Sequence, residues 1–190
     1  MACKAAYAFA LSLEQLKVPY EIWGFTTIGG DHAKRAAFLE MNKTLDPTLA
    51  SKVINTSCPD IFYAFKTFEE HFDVVSKNGL VAGGNSLLRM SSNEDSNHIK
   101  QALIRLSARP EEKKTLFVFS DGQPAFGGDC NTSHAMLKYL DRNSNSDYGV
   151  DMYGLGIMSD CVKKFYKQCK VINDLEELPT ALFDILRTRI

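Results

Sequence analysis

The sequence lacks several features that would each point directly to a function. It has no run of about 18 apolar residues that could cross a membrane and no GxxxxGK[ST] loop that could cradle the phosphates of ATP. Its five cysteines include no CxxC pair, and their odd number leaves one unpaired. These absences argue against a spanning helix, ATP hydrolysis by this chain, a structural zinc site and a disulfide framework. We therefore expect a protein of the reducing cytoplasm.

The sequence also lacks an excess of charge of either sign. With 22 basic and 23 acidic residues, the net charge is −1. No broad positive field exists to hold a nucleic acid backbone, so we expect no nucleic acid partner. Hydrophobic residues make up 45% of the chain and charged residues 24%. This composition predicts a packed core and, at 190 residues, one domain covering 1–190.

Helical and strand patterns alternate along the chain, which predicts an α/β fold of the Rossmann-like, doubly wound kind. The sheet is expected to be mostly parallel, with helices on both faces. The apolar run at 115–119 suits a strand that is buried on both of its faces. Predicted helices cover 4–17, 32–42, 62–75, 95–109, 133–140, 160–169 and 174–188. Predicted strands cover 20–25, 115–119, 150–157 and 171–172, with a loop at 76–92 and a turn at 147–149.

Two carboxylates follow strands or begin helices where a ligand could bind. Asp121 comes directly after the strand at 115–119, next to Ser120 and Gly122. Asp95 stands with Ser96 at the predicted start of a helix. Carboxylate and hydroxyl oxygens are the ligands that Mg²⁺ prefers. The residues also allow simpler interpretations, because Asp is common in turns and both Asp and Ser are common helix caps.

Five short motifs occur together in a specific order. They are IWGFTT at 22–27, NED at 93–95, RLSARPE at 105–111, FSDGQP at 119–124 and YGLGI at 153–157. Their order and spacing resemble the von Willebrand factor A (vWA) domain of the cobaltochelatase subunit CobT and its phage-encoded relatives. The resemblance extends from residue 5 to residue 186.

The resemblance implies a metal-ion-dependent adhesion site (MIDAS), in which three loops at the carboxyl edge of the sheet hold Mg²⁺. Asp121 matches the aspartate of the third loop, and Asp95 matches the second-loop position. Thr26 and Thr27 match a motif near this site, without a ligand role. The first-loop run of the family, aspartate-x-serine-x-serine, and the central strand before it have no counterpart in this sequence. Relative to the family, the domain is thus expected to be truncated at its N-terminus.

Two consequences follow from the missing strand and loop. The Mg²⁺ site is expected to be incomplete, and two carboxylates alone would bind the ion weakly, since it would keep most of its waters. The strands beside the gap would also keep unpaired edges. We expect another chain, a further segment or self-association through the open sheet to cover these edges.

The resemblance favours a non-catalytic interaction domain. Such a domain would act as an adaptor for a CobS-like AAA+ ATPase, beside a larger chelatase subunit that inserts cobalt during cobalamin biosynthesis, or within a related remodelling complex.

Two alternatives remain open. One is a metal-assisted hydrolase on the same fold that uses Asp121 and Asp95. Ser120 has no evident base for such a reaction, and His98 is expected to be exposed in the first turn of a helix. The other alternative is a metal-independent assembly protein that recruits a partner strand to its sheet edges.

Overall fold

A computed structural model describes residues 2–27, 60–84, 94–124, 130–174, 177 and 183–185. The predicted helix at 32–42 lies outside these ranges, and so does most of the predicted helix at 174–188. Within them, no helix is long and apolar enough to span a membrane. The helices are α1 (Ala2–Leu16), α2 (Val74–Gly84), α3 (Asp95–Ser107) and α4 (Cys130–Tyr148), and a short 3-10 helix covers Cys161–Lys164. The strands are β1 (Ile22–Thr27), β2 (Asp60–Lys66), β3 (Thr115–Ser120), β4 (Asp151–Ile157) and β5 (Cys169–Ile172).

The strands form two sheets. β1 and β2 pair as an antiparallel ribbon, in which Thr27 lies opposite Asp60. β3, β4 and β5 form a parallel sheet in that order, with Thr115 opposite Asp151 and Gly154 opposite Cys169. The prediction of an α/β fold with a parallel sheet is thus confirmed.

Helices cover the parallel sheet on both faces, as the alternation of side chains along its strands requires. Phe117 and Phe119 of β3 face α1, where the ring of Phe9 lies 4.8 Å from that of Phe117. Val118 of β3 faces the opposite way and packs with Leu103 of α3. The apolar run at 115–119 therefore is a strand with a helix layer on either side.

The same two helix layers also cover the antiparallel ribbon. Phe65 of β2 joins the core under α1. On the other face, Arg105 of α3 lies 4.0 Å above the ring of Trp23 in β1 and forms an ion pair with Glu21. Because α3 contacts both β2 and β3, and the core that includes α1 holds side chains of both sheets, the two sheets lie side by side in one layer.

The predicted helix at 62–75 is wrong over most of its length, and so is the predicted loop at 76–84, whereas 85–92 lie outside the described residues. Residues 60–66 form strand β2, and the helix α2 occupies 74–84. The aromatic side chains of this stretch suit a strand, because they pack well on a pleated surface. The helix begins only after Asp73, whose carboxylate accepts hydrogen bonds from the amides of Val75 and Ser76 and so caps it.

The predicted helix at 160–169 is also wrong. Only the 3-10 turn Cys161–Lys164 forms there, and β5 begins at Cys169. The amide of Lys167 donates to the carboxylate of Asp141 on α4 (2.8 Å) instead of continuing a helix. Phe165 and Tyr166 are consecutive and both buried, so they fill the core from a non-helical turn.

Helix α4 is longer than the predicted 133–140. It continues through Asp147 and Tyr148, which were expected to form a turn. Gly149 ends it with a positive φ of 65°, and its amide donates to the carbonyl of Asn145. Glycine adopts this left-handed conformation without a Cβ penalty, which is why it commonly follows the last residue of a helix.

The YGLGI motif contains two glycines of β4 that neighbouring residues approach closely. A Cβ atom on Gly154 would lie 2.5 Å from Cγ of Tyr166, and one on Gly156 would lie 2.1 Å from the carbonyl oxygen of Ser159. At Gly122, in the loop after β3, an added Cβ would meet no atom within 4 Å. The first two positions therefore require glycine for steric reasons, and the third does not.

We predict that Gly156→Ala lowers the free energy of unfolding by about 2 kcal/mol or more, because the backbone at Ser159 has to move to relieve the overlap. The matched control Gly122→Ala should change it by no more than about 0.5 kcal/mol. Urea unfolding followed by circular dichroism measures both values. Equal stability of the two variants would contradict this account of β4.

Candidate functional site

Asp95 lies at the start of α3, and Asp121 lies in the turn between β3 and α4. Helix α3 runs antiparallel to β1, since its first-turn His98 packs on Phe25 (ring centroids 4.9 Å apart) while its later Arg105 lies above Trp23. The start of α3 therefore lies at the carboxyl end of β1, where Thr26 and Thr27 are buried. Helix α4 follows the carboxyl end of β3, and its first turn contacts the residue directly before α3 through Ser133.

Glu94 links the first turns of these two helices. Its side chain is 3% exposed, and its Oε1 atom accepts hydrogen bonds from the hydroxyls of Ser96 in α3 and Ser133 in α4. Its Oε2 atom is buried and has no hydrogen-bond partner among the described residues. The positive ends of two helix dipoles stabilise a carboxylate at this place. Glu94 belongs to the NED motif, but a glutamate directly before a helix does not by itself indicate this role.

Asp95 is the first residue of α3 and is 1% exposed. The expectation that Asp95 or Ser96 caps this helix is wrong by one residue, because Glu94 occupies the cap position. Burial raises the pKa of the Tyr166 hydroxyl, and the nearby negative charges of Asp95 and Asp141 raise it further. The Asp95 side chain thus lies inside the fold, within electrostatic reach of Tyr166.

Asp121 is exposed in the turn that follows β3. The hydroxyl of Ser120 donates a 2.9 Å hydrogen bond to the carbonyl of Gly122, which closes this turn. Burial raises the pKa of the Cys3 thiol, and the charge of Asp121 contributes to the same rise. The charge of Asp121 therefore acts electrostatically on the first turn of α1.

The donor chemistry of Asp95 and Asp121 fits an open Mg²⁺ site better than a closed one. Mg²⁺ in proteins commonly binds one or two carboxylates and keeps several waters. In the ranges that the structure describes, no group of three or more His, Cys, Asp or Glu side chains could hold a metal ion.

The two histidines near these loops bind backbone carbonyls. His98 is 2% exposed, so the expectation that it is exposed is wrong. Its ring lies against Phe25 and Phe62, and its Nδ1 atom donates to the carbonyl of Glu94 (2.6 Å). His134 of α4 donates from Nε2 to the carbonyl of Pro124 (3.1 Å). Since the Ser120 hydroxyl donates to Gly122, these contacts give no support to a hydrolase with a Ser120 nucleophile.

The described cysteines show no disulfide bond. Cys3, Cys161 and Cys169 are free thiols. Burial raises the pKa of the Cys169 thiol as it does that of Cys3, so neither is activated as a thiolate nucleophile.

We predict that Glu94→Ala lowers the free energy of unfolding by about 2–3 kcal/mol, because it leaves two buried serine hydroxyls without their acceptor. Glu112→Ala is the matched control, since Glu112 is exposed, and its effect should stay within about 0.5 kcal/mol. Urea unfolding of both variants tests this. Similar losses in the two variants would show that the Glu94 contacts add nothing to stability.

A parallel sheet covered by helices on both faces, with acidic residues in the turns at the helix starts, defines an α/β domain of the vWA, Rossmann-like class. The family model "Cobalamin biosynthesis protein CobT VWA domain" matches residues 1–190, and the chain belongs to this family. No curated protein and no solved structure is similar enough to this chain to add a relative.

Proposed function

We propose that this chain is a non-catalytic interaction domain of a cobaltochelatase-like complex. The observation that carries the proposal is the family match over 1–190, which relates the domain to cobalamin biosynthesis. In this proposal the domain is an adaptor for a CobS-like AAA+ ATPase, and a larger chelatase subunit carries out the insertion of cobalt. In a related remodelling complex, the domain would have the same adaptor role for another client.

The loop face that carries Asp95 and Asp121 is the proposed contact surface. Asp121 is exposed at this face and can meet a partner directly. Asp95 is buried at the start of α3 and is the second metal ligand in this proposal. Mg²⁺ bound by Asp121 and Asp95 would supply a positive centre whose remaining positions accept water or a carboxylate of the partner.

We expect Mg²⁺ to raise the midpoint of thermal unfolding, because a ligand that binds only the folded state adds about 2.7 kcal/mol of stability at 100 times its Kd. Asp121→Asn should abolish this rise and weaken binding to a purified CobS-like ATPase. Asp147→Asn is the matched control, as Asp147 is an exposed aspartate at the far end of α4. Thermal melts with Mg²⁺ or EDTA and calorimetric titration of the ATPase measure both effects.

The result that would contradict the metal-dependent proposal is a complex of unchanged affinity in EDTA and with Asp121→Asn. A domain that fails to bind any CobS-like ATPase, with or without Mg²⁺, would contradict the adaptor role itself.

The side-by-side sheets favour one second candidate, metal-independent assembly. Within the described ranges, β1 pairs only with β2, and β3 pairs only with β4. Their remaining edges present backbone groups that an extended strand of a partner could pair with. Because α1 and α3 cover the layer from both faces, such a strand would need apolar side chains on both of its faces.

Amide hydrogen exchange separates the two candidates. Strand addition predicts slower exchange in β1 and β3 when the complex forms, with no dependence on Mg²⁺. Contact through the loop face predicts slower exchange around Asp121 and a requirement for Mg²⁺. Unchanged exchange in both regions would contradict both candidates.

A further inference from the structure

Two consecutive residues of α4 connect the loops that carry the two candidate carboxylates. Ser133 donates its hydroxyl hydrogen to Glu94, the residue directly before Asp95. His134 donates from Nε2 to the carbonyl of Pro124, three residues after Asp121. One helical turn thus contacts both loops, and it does so with neighbouring side chains.

Both hydrogen bonds join α4 to residues outside this helix. A serine in a first turn often bonds to the backbone of its own helix, but the hydroxyl of Ser133 reaches a buried carboxylate 39 positions away in sequence. The imidazole of His134 also packs against the ring of Phe165, with centroids 4.8 Å apart. Ser133 is buried and His134 is half-buried, so neither side chain is free to turn into solvent.

The 19-residue helix α4 is the rigid body behind these contacts. Its buried Leu137 and Leu140 pack into the core formed with α3 and β4. A helix fixed in this way holds both of its first-turn contacts at a constant separation. Consequently, the position of the Asp95 loop relative to the Asp121 loop depends on Ser133 and His134.

We propose that Ser133 and His134 are positioning residues that set the spacing between the Asp95 and Asp121 loops. Neither residue touches the metal ion in this proposal. They act through Glu94 and Pro124, respectively, and so prearrange two carboxylates that are far apart in sequence. The effect on Mg²⁺ rests on the proposed function, whereas the effect on the loops does not.

The test uses the full chain with Ser133→Ala and His134→Ala. Conservative variants, Ser133→Thr and His134→Gln, keep a donor at each place. Ser144→Ala is the matched control, because Ser144 is also buried on α4 but its hydroxyl donates to the carbonyl of Asp141 in the same helix. Amide hydrogen exchange of the metal-free protein and Mg²⁺ affinity by calorimetry are the two measurements.

We expect Ser133→Ala to speed exchange roughly fivefold at 94–98, and His134→Ala to do so at 121–123, since each variant removes one hydrogen bond. Each variant should weaken Mg²⁺ binding roughly tenfold, as loss of a contact behind a metal ligand typically does. The double variant should lose less than the product of the single losses, because either break already releases the spacing. Ser133→Thr and His134→Gln should restore exchange and affinity, and Ser144→Ala should alter neither.

Unchanged exchange in both alanine variants would overturn the proposal. It would equally be overturned by faster exchange with wild-type Mg²⁺ affinity, or by losses that Ser144→Ala reproduces. If the wild-type protein binds no Mg²⁺, the metal part of the proposed function fails, and the exchange data alone then decide whether Ser133 and His134 position the loops.

Discussion

The buried carboxylate of Glu94 is the contact on which the arrangement of the loop face depends. It accepts hydrogen bonds from Ser96 and Ser133, and so ties the start of α3 to the start of α4. A buried carboxylate is costly unless it is hydrogen-bonded, and the two helix N-termini add a favourable field. Because Asp95 follows Glu94 directly, the same contact fixes where the second candidate carboxylate lies. Buried hydrogen bonds, and not the exposed residues, therefore set the arrangement of the loop face.

Close packing in the carboxyl-terminal half of β4 complements this polar contact. Gly154 and Gly156 allow Tyr166 and the backbone of Ser159 to approach the strand, as no larger residue would. The turn at 158–168 can then cross over the sheet and bring Tyr166 within reach of the charge on Asp95. The glycine packing of β4 and the buried carboxylate of Asp95 thus both affect the surroundings of Tyr166. In this vWA domain, the hydrogen bonds of Glu94 and the close packing at Gly154 and Gly156 stabilise the region around α3 and α4.

Much of the fold could be predicted from the sequence because its signals are local. The apolar run at 115–119 and the alternation at 150–157 both became strands of the parallel sheet. Asp121 is in the turn predicted for it. The prediction failed at 62–75, where an aromatic strand was interpreted as a helix face, and at 160–169, where Asp141 captures the amide of Lys167. In the second case the deciding partner is 26 positions away, beyond the reach of any pattern in a window.

The sequence by itself determined the class of the fold, the family and the strand-end position of Asp121, because periodicity and motif order are properties of neighbouring residues. Only the tertiary structure decided that Asp95 is buried while Asp121 is exposed, since burial depends on which helices pack above each loop. It alone brought Ser133 to Glu94 and His134 to Pro124. Those contacts form where α4 packs against α3, and that packing involves apolar side chains that lie between residues 99 and 166.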